Sequence, residues 1–349
     1  MSTPVYVVLD SGRTSQHKGD MSTKPIIALT MGDPAGVGPE LCLRMLVDRD
    51  VKTYSTPVIF GDPVLLRRVA SLAGLPFPSQ VIPFARWPQA DVKGPAIVAI
   101  ECADMSSVAP GRLSASCGAA AYRCVEVAVR ETMAGRVNAM VTAPLNKEAL
   151  HLAGVPHPGH TEILGALTGS ARTCMMLSSE KITTSLVTAH TSLASVPGKL
   201  SVELILETIR LTSEAMQRLR RRAPKLVVCS LNPHSGEHGL FGDEEQRLIE
   251  PAIALARAEG FEVEGPLPPD TAFLPARMTQ TGAYICMYHD QGLIPFKMLA
   301  FETGVNITLG LPITRTSPDH GTAFDIAWTG RAQSGSMRQA VLYAVQLSR

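Results

Sequence analysis

The sequence predicts an α/β fold built on a largely parallel sheet. Short apolar runs of strand length alternate with segments of helical period along nearly the whole chain. Three of the nine histidines, His190, His234 and His289, stand at or within three residues of the end of such a run. With 349 residues the chain is long enough for one large domain, or for two lobes with a cleft between them.

Taken in order, residues 1–24 are polar and turn-rich beyond the first few, with Met21 just ahead of the first convincing strand; they are expected to be a mobile extension. The run PIIALTM (25–31) reads as a strand, and the glycine-rich turn GDPAGVGPE (32–40) opens a helix through residues 41–46. Such a turn either cradles an anion on free backbone amides or serves as a tight connection, and its spacing is not the G-x-G-x-x-G dinucleotide fingerprint. PVIFG (57–61) and AIVAI (96–100) read as buried strands, separated by a helix over residues 64–73 and a proline-rich connection. A helix over 117–134 then leads to the strand VNAMVT (137–142), which Pro144 breaks, leaving Lys147 near its carboxyl end.

After PHPGHT (156–161) come a short helix and two apolar strands, 173–177 and 183–188, the second running into Ala189-His190. An amphipathic helix over 202–222 precedes the strand KLVVCSL (225–231), which ends in Asn232-Pro233-His234. A helix over 243–259 and the proline-rich GPLPPD (265–270) lead to the strand 283–288, stopped by His289. From there the chain through Lys297, Asn306 and Arg315 lacks helical period and is punctuated by Gly304, Gly310, Pro312 and Pro318, so it reads as turn-rich. DHGTAFDIA (319–327) reads as a glycine-bounded loop leading into a helix.

Composition narrows the function. The formal net charge is +1, and the densest basic run, RLRRR (218–222), lies on a helical pattern as a solvated face, so neither nucleic acid nor an acidic membrane is indicated. Seven cysteines, odd in number and without a Cys-x-x-Cys pair, suit a reduced, cytoplasmic compartment. The early VYVVL run is too short for a signal core, and no apolar stretch approaches the ~20 residues that span a bilayer. A soluble cytoplasmic protein is expected.

Ligands of open α/β sheets bind outside the carboxyl ends of the strands. Histidines at three such ends suit a divalent cation held with open positions, the catalytic arrangement; the alternative is three hydrogen-bonded loop-end residues. The ammonium of Lys297, the amide of Asn306 and the guanidinium fork of Arg315 are what a phosphate needs, unless they are ordinary surface groups. His160 and Thr161 offer an imidazole and a hydroxyl of the same kind. Gly321 permits close backbone approach and Asp325 can accept from a ribose hydroxyl, although a capped first helical turn explains this stretch equally well.

The ordered set GDPAGVGPE (32–40), TAPLNK (142–147), PGHTE (158–162), LNPHSGE (231–237), MYHDQG (287–292), GVNITLGLP (304–312) and RTSPDHGTAFDIAWTG (315–330) resembles the 4-hydroxythreonine-4-phosphate dehydrogenase family. The resemblance covers the chain from about residue 25 onward and implies an isocitrate/isopropylmalate dehydrogenase-like fold, two α/β/α lobes around a cleft. It implies a first lobe over 25–145, rejoined by 300–349 with the cofactor loop, and a second lobe over 146–299 with the metal histidines and the dimer interface. A homodimer follows, with active sites at the interface, where the residues matching His190, His234 and His289 bind a divalent cation (zinc, magnesium, manganese or cobalt) and come from both subunits. Those matching His160, Thr161, Lys297, Asn306 and Arg315 bind the phosphorylated substrate. His320, Gly321, Thr322, Ala323 and Asp325 lie in a loop similar to the one by which isopropylmalate dehydrogenases hold NAD.

Three segments, AYRC (121–124), NKEALHLAG (146–154) and FDIAWTG (324–330), resemble the 4-phospho-D-threonate/D-erythronate branch. The implied reaction is NAD-dependent oxidation at carbon 3 of a 4-phosphorylated hydroxy acid, followed by decarboxylation to dihydroxyacetone phosphate. The alternative is 4-hydroxythreonine-4-phosphate dehydrogenase of pyridoxal phosphate (vitamin B6) synthesis. A dihydrodiol dicarboxylate dehydrogenase, a metal-dependent phosphohydrolase or aldolase, and a non-catalytic sugar-phosphate binder fit less of the pattern. Lys147, Asp270 and Asp290 are the candidate proton acceptors.

Overall fold

The computed structural model describes residues 24–349, so the expected extension lies outside it except for Lys24. The chain begins β1 (Ile26–Thr30), α1 (Gly38–Val47), α2 (Arg49–Tyr54), β2 (Thr56–Gly61), α3 (Pro63–Ala73), β3 (Val81–Pro83), β4 (Ala96–Ala99), α4 (Ala115–Met133) and β5 (Ala139–Thr142). It continues α5 (Lys147–Leu152), α6 (His160–Thr168), β6 (Cys174–Ser178), β7 (Thr183–Leu186), α7 (Val196–Lys199), α8 (Val202–Arg220), β8 (Leu226–Cys229), α9 (Glu250–Ala258) and β9 (Val263–Leu267). It closes with α10 (Pro269–Ala272), α11 (Pro275–Met278), β10 (Ala283–Cys286), α12 (His289–Ala300), β11 (Val305–Leu309), β12 (Arg315–Pro318) and α13 (Gly335–Leu347).

The twelve strands among the described residues form one sheet in the order β3-β4-β2-β1-β5-β12-β11-β6-β7-β10-β8-β9. The mixed α/β class expected from the alternation of strands and helices is the one observed. The ladders are parallel except at the centre, where β12–β11, β11–β6 and β6–β7 run antiparallel. Strands such as β2, β5, β8 and β10 are buried along their whole length, because helices cover both faces, and this is why their sequences read as apolar runs rather than alternations. Late strands take the middle of the sheet: β12 pairs with β5 and β11 with β6, so the segment after residue 300 joins the halves that precede it.

Side-chain caps set several helix starts. Asp62 accepts from Val64 N and Leu65 N ahead of α3, Ser114 from Cys117 N ahead of α4, Asn146 from Ala149 N ahead of α5, and Ser201 from Leu204 N ahead of α8. Two expectations need correction. The chain around Lys297 is helical: α12 runs from His289 to Ala300, and Pro295 and Gly292 inside it had erased its periodicity. The loop after His320 leads only into a three-residue 3₁₀ turn, Phe324–Ile326, with the next α-helix starting at Gly335.

No helix among the described residues is long and apolar enough to cross a membrane.

Lys147 opens α5, whose seat on α4 depends on Gly118. A Cβ there would lie 2.0 Å from Ala149 O, closer than any real contact. Gly118→Ala is therefore expected to destabilise the fold by about 1–3 kcal/mol. Thermal unfolding checks this, and an unchanged midpoint would show that α5 can shift freely.

Candidate active site

The carboxyl ends of β5 and β12, the amino end of the antiparallel β11, and the chain that follows β7 and β10 line a cavity of about 640 Å³. Its lining includes Lys147, His160, Thr161, His190, His289, Lys297, Asn306, Arg315, His320 and Gly321, ten residues singled out from the sequence. They arrive from six directions. Lys147 opens α5, His160 and Thr161 open α6, His190 follows β7, His289 and Lys297 lie on α12, Asn306 and Arg315 lie on β11 and β12, and His320 and Gly321 follow β12.

Arg315 is the strongest electrostatic feature. It is 3 % exposed, and its fork donates to Thr142 Oγ1 from Nε and Nη2 (3.1 and 2.6 Å) and to Thr308 Oγ1 from Nη1 (2.9 Å). Among the described residues no carboxylate pairs with it. Burial pulls the guanidinium down to about 9, so at neutral pH it is a buried cation with only hydroxyl partners.

The neighbouring His160 has Nε2 sealed from solvent without a hydrogen-bond partner. Burial first, and the charge on Arg315 second, hold this imidazole well below its ordinary pKa. Lys297 Nζ lies 3.0 Å from Asp319 Oδ2, an ion pair at an angle that is not a hydrogen bond, so that buried oxygen also lacks a donor. Unsatisfied polar atoms around an uncompensated cation, beside the N-terminus of α6, form a pocket for an anion with donors and acceptors of its own.

A second centre adjoins it. The His190 and His289 rings face each other with centroids 5.8 Å apart. Burial, then the charges on Lys147 and His289, keep His190 below its ordinary pKa and therefore neutral, the form a metal requires. His289 Nδ1 is 2.6 Å from Asp290 Oδ1, which leaves Nε2 as the ring nitrogen with a free lone pair. These two imidazoles fit two ligands of a divalent cation. Among the described residues no third His, Cys, Asp or Glu joins them.

The neighbouring strands β7, β10, β8 and β9 are followed in turn by His190, His289, His234 and Asp270. His234 nevertheless stands outside the cavity, exposed, with its ring 6.3 Å from that of Phe241. Asp270, on α10, is exposed and Asp290 points to His289, so neither lines the cavity.

The rest of the predicted cofactor loop, Thr322, Ala323 and Asp325, runs beside it. Val37 N donates to Thr322 O (2.9 Å), Ala323 adopts φ 42°, and Asp325 is exposed. The glycine-rich turn at 32–40 is no anion cradle: Asp33 N donates to Pro144 O, Ala35 N to Asp33 Oδ1, Gly36 N to Asp33 O, and Val37 N to the loop. Its work is support, since a Cβ on Gly36 would sit 2.9 Å from Thr322 O.

Sequence reasoning missed Thr142 and Thr308, the hydroxyl partners of Arg315, and Asp319 and Glu162, which flank the cavity acids and bases. TAPLNK and PGHTE carried Thr142 and Glu162, but hydroxyls and single carboxylates give no signal until a partner is known. Of the segments leaning to the threonate branch, only Lys147 and its neighbourhood touch the cavity. Trp328 is instead buried beneath the cofactor loop, donating to Pro34 O (3.0 Å).

A histidine pair beside a buried guanidinium that no carboxylate among the described residues pairs with, set on a mixed sheet flanked by helices, makes this an α/β protein whose cavity suits a small anion. The model of the family described as pyridoxal phosphate biosynthetic protein PdxA matches residues 53–344, and the chain belongs to that family. It is 47% identical to 4-hydroxythreonine-4-phosphate dehydrogenase of Desulfosudis oleivorans, over 93% of this chain and 96% of the relative. It is 44% identical to D-threonate 4-phosphate dehydrogenase of Salmonella typhimurium, over 94% of this chain and 100% of the relative. The crystal structure of 4-hydroxythreonine-4-phosphate dehydrogenase from Klebsiella pneumoniae is similar at 41% identity and TM-score 0.82, covering 94% of this chain and 99% of that one.

The depressed pKa of His160 has a pH consequence. In the fold the ring stays neutral, while in the unfolded chain it takes up a proton below its ordinary value of 6.5. The stability associated with it is therefore complete above 6.5 and declines as pH falls below that value. An NMR titration is expected to find His160 still neutral at about pH 6; a midpoint at the ordinary value would contradict the burial of its Nε2.

Proposed function

We propose that the chain is an NAD- and divalent-metal-dependent dehydrogenase that oxidises carbon 3 of 4-phospho-D-threonate or D-erythronate and releases carbon dioxide, leaving dihydroxyacetone phosphate. The observation that carries this reading is Arg315, a buried cation without a carboxylate partner among the described residues, in a cavity shared with the His190–His289 pair. A phosphate supplies the missing charge, and Lys297, Asn306, His160 and Thr161 surround it with donors.

His190 and His289 would hold the cation, with His234 supplied by a second copy. NAD would lie along His320, Gly321, Thr322, Ala323 and Asp325. When bound, NAD accepts the carbon-3 hydride, and the cation lowers the pKa of the carbon-3 hydroxyl and stabilises the charge that develops as carbon dioxide leaves.

The chain's own groups do the rest. Arg315 and Lys297 anchor the distal phosphate, which fixes carbon 3 relative to the histidine pair and the cofactor loop. Asp290 orients His289 through Nδ1. Lys147 lines the cavity close enough for its charge to act on His190, which favours it over the exposed Asp270 as acceptor of the hydroxyl proton. Loss of that proton with the hydride leaves a β-keto acid, the kind of product that readily loses its carboxylate.

Two lobes are proposed to meet where β12 joins β11, with the cleft at the strand ends. A homodimer is supported by an exposed apolar stripe along α12 and its C-cap: Ile294, Met298 and Phe301, at one-turn spacing, are 60%, 81% and 67% exposed.

The names of the relatives support 4-hydroxythreonine 4-phosphate equally, so the test compares both substrates. NADH absorbance is followed with purified protein, NAD and Zn²⁺, with and without chelator. Faster, chelator-sensitive reduction with 4-phospho-D-threonate is expected, falling ~1,000-fold in His289→Ala. Preference for the amino substrate would move the protein to vitamin B6 synthesis, and no reduction with either would overturn the reading.

A further inference from the structure

We propose that Glu245 is a positioning residue for His234, clamping the strained turn that carries it; this rests on the reading of His234 as a metal ligand. Five successive residues, His234, Ser235, Gly236, Glu237 and His238, adopt left-handed backbone angles, with φ of 51°, 54°, 80°, 45° and 56°. Four of them carry a Cβ, which that region disfavours, so such a turn persists only where its surroundings dictate it.

Those surroundings converge on one carboxylate. Glu245 is 1 % exposed; its Oε1 accepts from Leu231 N and Asn232 N (both 2.8 Å), and its Oε2 from Asn232 Nδ2 (2.9 Å). Asn232 Nδ2 also donates to Glu244 Oε2 (2.7 Å), locking the residue two before His234. The floor of the turn is Gly236, where a Cβ would meet Glu245 Oε2 and Gly242 O at 2.8 Å each. Gly236 O accepts from Phe241 N (3.1 Å), and Ser235 Oγ donates to Pro266 O (3.4 Å).

The clamp has its own device. Glu245 opens a π-turn, Glu245–Ile249, in which Glu250 N donates back to Glu245 O. Pro251 has no N–H for the ordinary helical bond to Arg247, which favours the wider turn there, and insertions of this type re-aim a side chain. The outcome is an exposed histidine on a clamped turn, its ring 6.3 Å from that of Phe241. A ligand destined for a site completed by another copy needs such a mount, because among the described residues no aromatic ring but that of Phe241 lies against it.

The test uses full-length, chelator-stripped protein titrated with Zn²⁺ alone by calorimetry, with thermal unfolding and hydrogen–deuterium exchange over residues 231–238 measured alongside. Glu245→Ala is expected to weaken Zn²⁺ binding ~10–100-fold, as loss of an outer-shell partner does, and to speed exchange at the Leu231 and Asn232 amides. Glu245→Gln keeps an acceptor for those amides and should recover part of the affinity. Gly236→Ala, which leaves the Glu245 carboxylate in the chain but displaces the turn by pressing a Cβ on Glu245 Oε2 and Gly242 O, should lose affinity as Glu245→Ala does. If Glu245→Ala fails to fold, the glutamine and Gly236 variants decide the matter.

Wild-type Zn²⁺ affinity in the Glu245 and Gly236 variants, with only a lowered unfolding midpoint, would make the role merely structural and overturn the proposal. If His234→Ala alone binds Zn²⁺ normally, the ligand role itself is lost, which separates failure of the metal reading from failure of the clamp.

Discussion

A guanidinium held in the interior with only threonine hydroxyls beside it is a standing cost to the fold, and the arrangement of the cavity follows from it. Arg315 lies on β12, the strand that pairs with β5 on one side and β11 on the other. Its partners, Thr142 on β5 and Thr308 on β11, come from the two flanking strands, so one side chain spans the middle of the sheet. An anion that compensates this charge also acts where the two halves join. Burial, with the same field behind it, keeps His160 neutral, able to offer its ring to a ligand without adding charge.

The frame that holds Arg315 is assembled from distant pieces packed backbone to backbone. The turn at 32–40 is wholly buried and spends its amides on Pro144, Asp33 and Thr322, tying the first strand to the segment after β5 and to the cofactor loop. Burial raises the Asp33 carboxyl to about 6 and leaves its Oδ2 without a partner. Glu40 extends the same seam, accepting from Gly330 N and Ala332 N (both 3.1 Å). The loop that flanks the cavity is thus built into the core of the first strands rather than draped over them.

Much of this was legible because buried parallel strands have a plain signature. Runs such as KLVVCSL and AYICMYH announced both the strands and the polar residues that end them, and strand ends are where ligands bind. The helix around Lys297 was hidden by Pro295 and Gly292, and the antiparallel centre by the shortness of β11 and β12. Equivalent strand-end positions suggested three histidines around one cation; within a single chain His190 and His289 face each other, while the left-handed turn after β8 carries His234 outward. Four of the five residues in that turn are not glycine, so nothing in their identity marks it. Asp290 was legible as an acid but not as the partner of His289, since adjacency in sequence does not fix side-chain direction.

The most direct measurement is calorimetric binding of 4-phospho-D-threonate and of unphosphorylated D-threonate to the wild-type protein and to Arg315→Met. If Arg315 anchors the phosphate, the wild type prefers the phosphorylated acid, and the substitution reduces that preference by about 10–100-fold with little change for the unphosphorylated one. An undiminished preference in Arg315→Met would contradict the assignment, leaving the buried charge without the anion that accounts for it.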